Sequence, residues 1–347
     1  MTKRVLDLFC GCGGLSSGFE QEGFKIVAGV DSWKDALNTF EKNHLESLAI
    51  ELDLGDFTPR QIEEKAGKDF DVIIGGPPCQ GFSISGKRNP DDPRNKLYQG
   101  FVSAVEYFRP NIFLMENVPN LLAMANGRVK DTIIEEFSAL GYNVQYQTLL
   151  ASDYGVPQNR KRVFFVGTKK DIKKFTYPIK TISTSPVTSF EAISDLPENS
   201  LENGAPYLVD PQSEYQKIIR KSSLGIYNHE ITAHTEQTQR IIALVPDGGN
   251  YKNLPIELQQ TRKVNIAWTR INSNKPSMTI DTGHNHHFHY KFNRVPTVRE
   301  SARLQSFPDT FIFYGGKTSQ LKQVGNAVPP LLAKSLATEI KRCLDDL

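Results

Sequence analysis

The chain has 347 residues, 39% of them apolar and 23% charged, and its 41 basic and 39 acidic side chains leave a net charge of +2. That is a globular composition with room for about two domains of roughly 150 residues, and it excludes disorder, collagen-like repeats and a disulfide-stapled miniature. No apolar run approaches the roughly 18 residues of a membrane helix, and four scattered cysteines (Cys10, Cys12, Cys79, Cys343) make no disulfide framework, so a reducing cytoplasm is expected. Short apolar runs at residues 4–9, 25–30, 48–52, 72–74, 112–115, 144–149 and 163–167 predict seven strands. Helical patterns at 32–43, 96–108 and 129–140 lie between them, the alternation of an α/β fold with a doubly wound, mostly parallel sheet. Beyond Thr168 the periodicity fades. Residues 181–293 are rich in Ser, Thr, Asn, Pro and Gly and yield no assignable elements, whereas helices return at 297–306 and after Pro329-Pro330, where Leu332, Leu336, Ile340 and Cys343 share one face. The expected division is a first domain over 1–180, an irregular insert over 181–295, and a return over 296–347.

Asp7-Leu8-Phe9-Cys10-Gly11-Cys12-Gly13-Gly14 follows the first strand and runs into a helix. Glycines let such a loop turn tightly and approach a ligand, and the helix N-terminus behind it favours negative charge. Asp31 ends the next strand, where a carboxylate can accept from ribose hydroxyls. The pair suits a dinucleotide or S-adenosylmethionine equally, and a merely tight turn would also need the glycines. Cys10 and Cys12 lack a second pair for a metal and are read as small packing side chains.

Gly75-Gly76-Pro77-Pro78-Cys79-Gln80 also follows an apolar strand. Two prolines fix the backbone before one thiol at the strand's C-terminal end, where α/β sheets place ligands, so Cys79 reads as a nucleophile. Glu116-Asn117-Val118 ends a further strand, where a surface acid or helix cap is the plainer reading of Glu116. In Gln158-Asn159-Arg160-Lys161-Arg162, two arginines spaced two apart at a strand start are expected to project to one side and reach one pocket. Gly325-Asn326 precedes the last helix.

In order and spacing these blocks, with Arg299-Glu300-Ser301-Ala302-Arg303-Leu304-Gln305, resemble the cytosine-5 DNA methyltransferases across nearly the whole chain. The resemblance implies a Rossmann-like S-adenosylmethionine-dependent domain with a smaller target-recognition domain, acting on a cytosine flipped out of double-stranded DNA. It implies that the Cys79 thiolate adds to carbon 6 of the base, that Glu116 binds the ring nitrogen and amine and supplies a proton, that Arg162 holds the ring oxygen, and that Arg160 orients the site and favours the thiolate. For the cofactor it implies Phe9 against adenine, Gly11 and Gly13 along the methionine portion, Asp31 on the ribose beside Ser32, Asp53 or Asp56 on the adenine amine, and Pro77 and Asn326 bordering the pocket. Family members usually carry a bulky residue where Ser32 stands, so Trp33, one further on, is either an adenine wall or core packing. Residues 83–100 resemble the family's mobile loop, or are an ordinary solvated one.

Residues 181–275 occupy the position of the family's DNA-reading segment, and residues 215–294 carry eleven basic side chains against five acidic ones. Some of these would contact phosphates. The histidine-rich run 284–290 is read as polar surface or as aromatic contact with the substrate, not as a metal site. A nicotinamide oxidoreductase would share the glycine loop but would leave Cys79 unexplained. The family's tRNA-methylating branch carries a Cys-Phe-Thr tripeptide in its recognition region, where this chain has no cysteine. A non-enzymatic DNA-binding relative would keep the basic insert and lose the reacting residues, all of which are present. The resulting expectation is a monomeric restriction-modification methyltransferase without a stable protein partner.

Overall fold

The seven apolar runs become one sheet. A computed structural model describes residues 2–78, 96–181, 185–259, 268–283 and 287–345. Its strands are β1 (Arg4–Leu8), β2 (Lys25–Asp31), β3 (Leu48–Glu51), β4 (Val72–Gly75), β5 (Ile112–Asn117), β6 (Tyr142–Leu150) and β7 (Lys161–Lys169). Their spatial order is β3-β2-β1-β4-β5-β7-β6. All neighbours are parallel except β7, which runs antiparallel to both β5 and β6. Helices α1 (Gly14–Gln21), α2 (Lys34–Asn43), α3 (Pro59–Ala66), α4 (Lys96–Phe108) and α5 (Arg128–Ala139) make the connections. Strand order reverses between β1 and β4. Ligand crevices of such sheets open at that point, outside the carboxyl ends of the strands.

The central strands are mostly apolar because both faces are covered, as parallel sheets require. Every residue of β4 is buried, and Phe101 and Phe137 meet edge to face while each also packs on Phe113. α2 begins at Lys34, two residues later than its sequence pattern suggests, because Ser32 and Trp33 still complete the turn after β2.

The chain forms two units, one of Met1–Leu150, Lys161–Lys180 and Leu332–Leu347 and the other of Ala151–Arg160 and Thr181–Leu331. Residues 151–160 and 296–331, assigned from sequence to the first domain and to the return, therefore cluster with the second unit. That unit contains α6 (Ser189–Ile193), α7 (Glu214–Ile219), α8 (Glu236–Ala243), the two-residue strands β8 (Thr269–Arg270) and β9 (His287–Phe288), α9 (Val298–Leu304) and α10 (Lys317–Asn326). Side-chain bonds hold it together. Arg303 forms a fork with Asp309 (3.0 and 2.7 Å) and also donates to Asp195. Arg294 forks onto Glu300 at 2.8 and 2.7 Å. Arg270 spends all its donors on Ile242, Val245, His289 and Phe292 carbonyls and on Asn293. α11 (Pro330–Asp345) closes the chain; its Leu332, Leu336, Ile340 and Cys343 are buried, and the Lys341 ammonium caps the Glu22 carbonyl at 2.8 Å. Among the described residues no helix is long and apolar enough to cross a membrane.

Candidate active site

The glycine loop leaves β1 in left-handed backbone: Phe9, Gly11 and Gly13 have φ of 60°, 53° and 95°. Phe9 pays a steric cost that glycine does not, and such strain persists only where the surroundings enforce it. The Gly11 N–H donates to Asp31 Oδ2 and the Trp33 N–H to Asp31 Oδ1, both at 2.8 Å. Asp31 thereby joins the loop to the entry of α2. Burial raises its carboxyl pKa against those hydrogen bonds. A Cβ placed on Gly11 would meet nothing within 4 Å, so the loop borders open space. Ser32 is exposed and Trp33 half-buried at the α2 N-cap. Asp53 accepts from the Gly55 N–H at 2.8 Å, and Asp53 and Asp56 are both exposed.

Beneath the loop lies Asp7, 1% exposed. Its Oδ2 accepts from Ser16 Oγ at 2.6 Å while Oδ1 has no hydrogen-bond partner among the described residues. Burial, assisted by the nearby Asp31 charge, lifts its pKa from 3.8 to about 8. Cys10 and Cys12 are buried thiols whose pKa values burial raises, Cys12 to about 12. Both side chains pack inside the loop.

At the exit of β5, Glu116 Oε1 meets Arg162 Nε at 2.8 Å, with both side chains mostly covered. Glu116 Oε2 comes so close to Gly76 that a Cβ there would lie 3.0 Å away. The next residue, Asn117, is buried and donates to the Pro77 carbonyl at 2.9 Å, tying the acid's strand to the diproline turn. Cys79 and residues 80–95 lie outside the described residues, as do most of the loop at 83–100 and residues 284–286.

The arginines divide differently from expectation. β7 starts at Lys161, so strand alternation does not govern Arg160. Arg160 is 1% exposed and donates from Nη2 to the Gly325 carbonyl at 2.9 Å, within the second unit, whereas Arg162 belongs to the first. Gln158 donates to the Leu304 carbonyl and to Gln305 Oε1, and Gln305 donates to Val324 and Ala327 carbonyls at 3.2 and 2.7 Å. Three separated sequence blocks thus lock together around Gly325, leaving Asn326 exposed at the end of α10.

Two further expectations need correction. His289 is buried, not polar surface: its Nδ1 accepts the Lys291 and Phe292 N–H groups, and burial lowers its pKa to about 4. Phe288 is core beside Trp268. Of the eleven basic residues in 215–294, Arg270 and Arg294 are buried in internal bonds, and Arg220 is engaged with Asp195 and the Tyr207 ring. The local charge count therefore overstates the positive surface. Asp7, Gln158 and Gln305 fell within the blocks read from sequence without being given a role, and Arg270 was not named; a lone polar residue inside an apolar strand was the available signal for Asp7.

Comparison with known proteins places these features in context. Residues 3–342 match the family of C-5 cytosine-specific DNA methylases. The chain is 40% identical to type II methyltransferase M.DdeI of Desulfomicrobium norvegicum, over 97% of this chain and 88% of that protein. It is 37% identical to type II methyltransferase M1.HphI of Haemophilus parahaemolyticus, over 98% and 87%. A crystal structure described as a DNA modification methyltransferase encoded within a prophage (E. coli) superposes with a TM-score of 0.82 at 30% identity, over 99% of this chain and 100% of that one. The S. pombe Dnmt2 methyltransferase shares the fold, with a TM-score of 0.64 at 17% identity over 99% of each chain.

Proposed function

The chain belongs to the C-5 cytosine-specific DNA methylases and is a DNA cytosine-5 methyltransferase, and we propose that it modifies one cytosine within a short duplex sequence as the protective half of a type II restriction-modification system. It acts as a monomer, in the cytoplasm, on a base turned out of the helix. The observation that carries this reading is the Glu116–Arg162 pair where β5 ends and β7 begins, bound through Asn117 to the turn that leads into Cys79.

Cys79, as thiolate, forms a bond to carbon 6 of the cytosine, and the displaced electron pair makes carbon 5 nucleophilic. Glu116 stabilises that charge by hydrogen-bonding the ring nitrogen and delivering a proton to it. Its ion pair with Arg162 corresponds to the ionised carboxylate, so Glu116 takes up a proton as the Arg162 guanidinium turns to the ring oxygen. Once carbon 5 carries the methyl group, loss of its proton to water and expulsion of the sulfur restore the carbon 5–carbon 6 double bond and free Cys79, and the ring nitrogen returns its proton to Glu116. Arg160 acts at one remove by holding the Gly325 carbonyl beside Asn326.

S-adenosyl-L-methionine suits the glycine loop: the space beside Gly11 is open, Phe9 offers a partly covered ring, and Asp31 is anchored at the end of β2. Phe9, Gly11, Gly13, Asp31 and Ser32 would hold it, with Asp53 or Asp56 at the adenine amine and Pro77 at the margin. When bound, it supplies an electrophilic methyl group. Bisulfite sequencing of DNA from cells expressing the protein tests the reading, with one short motif expected to resist conversion. Uniform conversion refutes it. Duplex DNA containing 5-fluorocytosine should become covalently attached to the enzyme at Cys79, and a parallel tRNA acceptor should remain unmodified.

A further inference from the structure

The Cβ position that Gly13 lacks is filled by another side chain. A Cβ there would collide with the His44 ring edge at Nε2, and would lie 2.7 Å from its Cδ2 and 2.9 Å from Phe40 Cδ2. Phe40 in turn occupies the space left by Gly29 of β2, and the two rings pack at a centroid distance of 4.4 Å. His44 follows α2 as its C-cap, is 2% exposed, and its Nδ1 lies 2.7 Å from Glu20 Oε2 on α1. One imidazole therefore touches the glycine loop, rests on a ring anchored in the sheet, and is oriented by a carboxylate from the helix that the loop opens.

We propose that His44, oriented by Glu20, is a positioning residue that sets the backbone of the Gly11–Gly13 turn for the methyl donor. The proposal rests on the donor site described above. Gly13 at φ 95° has no side chain of its own to restrict it, and an unsupported glycine turn samples many conformations. The imidazole removes that freedom on one side, while the bond from the Gly11 N–H to Asp31 fixes the other. A ligand held by backbone groups gains affinity when they are ordered beforehand.

Calorimetric titration of the full-length protein with S-adenosylhomocysteine and S-adenosylmethionine, with steady-state kinetics, tests the proposal. Wild-type protein must bind first; failure there refutes the donor site itself, not His44. His44→Ala is expected to weaken binding of both ligands about tenfold and raise the donor KM equally, with the DNA KM within twofold of wild type. His44→Phe restores ring volume without the Glu20 bond and should recover part of the loss. Glu20→Gln should weaken donor binding about threefold. Gly13→Ala and His44→Ala combined should lose less than the product of their separate effects, because the second substitution vacates the space the first needs. Donor affinity unchanged in Glu20→Gln and in folded His44→Ala or His44→Phe overturns the proposal, as does a parallel loss of donor and DNA affinity.

Discussion

Asp7 makes stability depend on pH in a direction opposite to that of most carboxylates. Its pKa rises from 3.8 in the unfolded chain to about 8 in the folded one, because the carboxyl is fully buried with one oxygen unpartnered among the described residues. Between those values the folded state keeps a proton that the unfolded chain has released, so the contribution of Asp7 falls as pH rises, by about 1.4 kcal/mol per pH unit. From pH 5 to pH 7 that amounts to about 3 kcal/mol. Asp7→Asn removes the titration and keeps an acceptor for Ser16 Oγ. Its buried amide N–H groups add a cost of about 1–3 kcal/mol that does not change with pH. Paired thermal melts of both proteins at pH 5, 6 and 7, at fixed ionic strength, cancel every other titrating group. The variant should gain on wild type by about 4 °C across that range, at about 1.4 °C per kcal/mol for a chain of this length. A constant difference would refute the argument from burial.

Three other outcomes are expected. Glu116→Gln should lower kcat at least 100-fold, measured by transfer of labelled methyl groups, while S-adenosylhomocysteine binding by calorimetry stays within twofold of wild type; near-normal turnover would exclude Glu116 as the proton source. Gly76→Ala places a methyl group 3.0 Å from Glu116 Oε2 and should reduce kcat about tenfold without raising the donor KM, an effect absent if the acid has room to move. Arg270→Met strands the carbonyls that the guanidinium now satisfies, at about 1–3 kcal/mol for each buried group. DNA binding in gel-shift assays should be lost while donor binding persists, and retained DNA affinity would show that the bonds of Arg270 are dispensable.

The sheet was readable because its strands are buried on both faces: a short run such as Val72-Ile73-Ile74 finds its place in the middle of a covered sheet. The glycine loop and the Glu116 strand were legible for a related reason, since polar and glycine residues ending an apolar run mark where a strand meets its ligand. The second unit was not. Its order comes from Arg270, Arg294, Arg299 and Arg303 reaching carbonyls and carboxylates distant in sequence, such as the Arg299 bond to the Tyr227 carbonyl at 2.9 Å. Bonds of that kind leave no periodicity. The same property misled the charge count, because a guanidinium satisfied internally is indistinguishable in sequence from one awaiting phosphate. Arg160 and Arg162 show the limit of strand alternation: the rule applies only once the first strand residue is known, and β7 begins between them.

The reversed direction of β7 settles where its first residues can act. Glu116 lies at the carboxyl end of β5, so an arginine at the beginning of a parallel β7 would sit at the opposite rim, about 20 Å from Glu116 at the usual rise per residue. Running backwards, the strand offers its opening instead, and Arg162 lies two positions along from Phe164, the cross-strand neighbour of Glu116. A single inverted strand thus lets this end of the sheet draw one of its cations from a chain segment on its way in, where its neighbours contribute only on their way out.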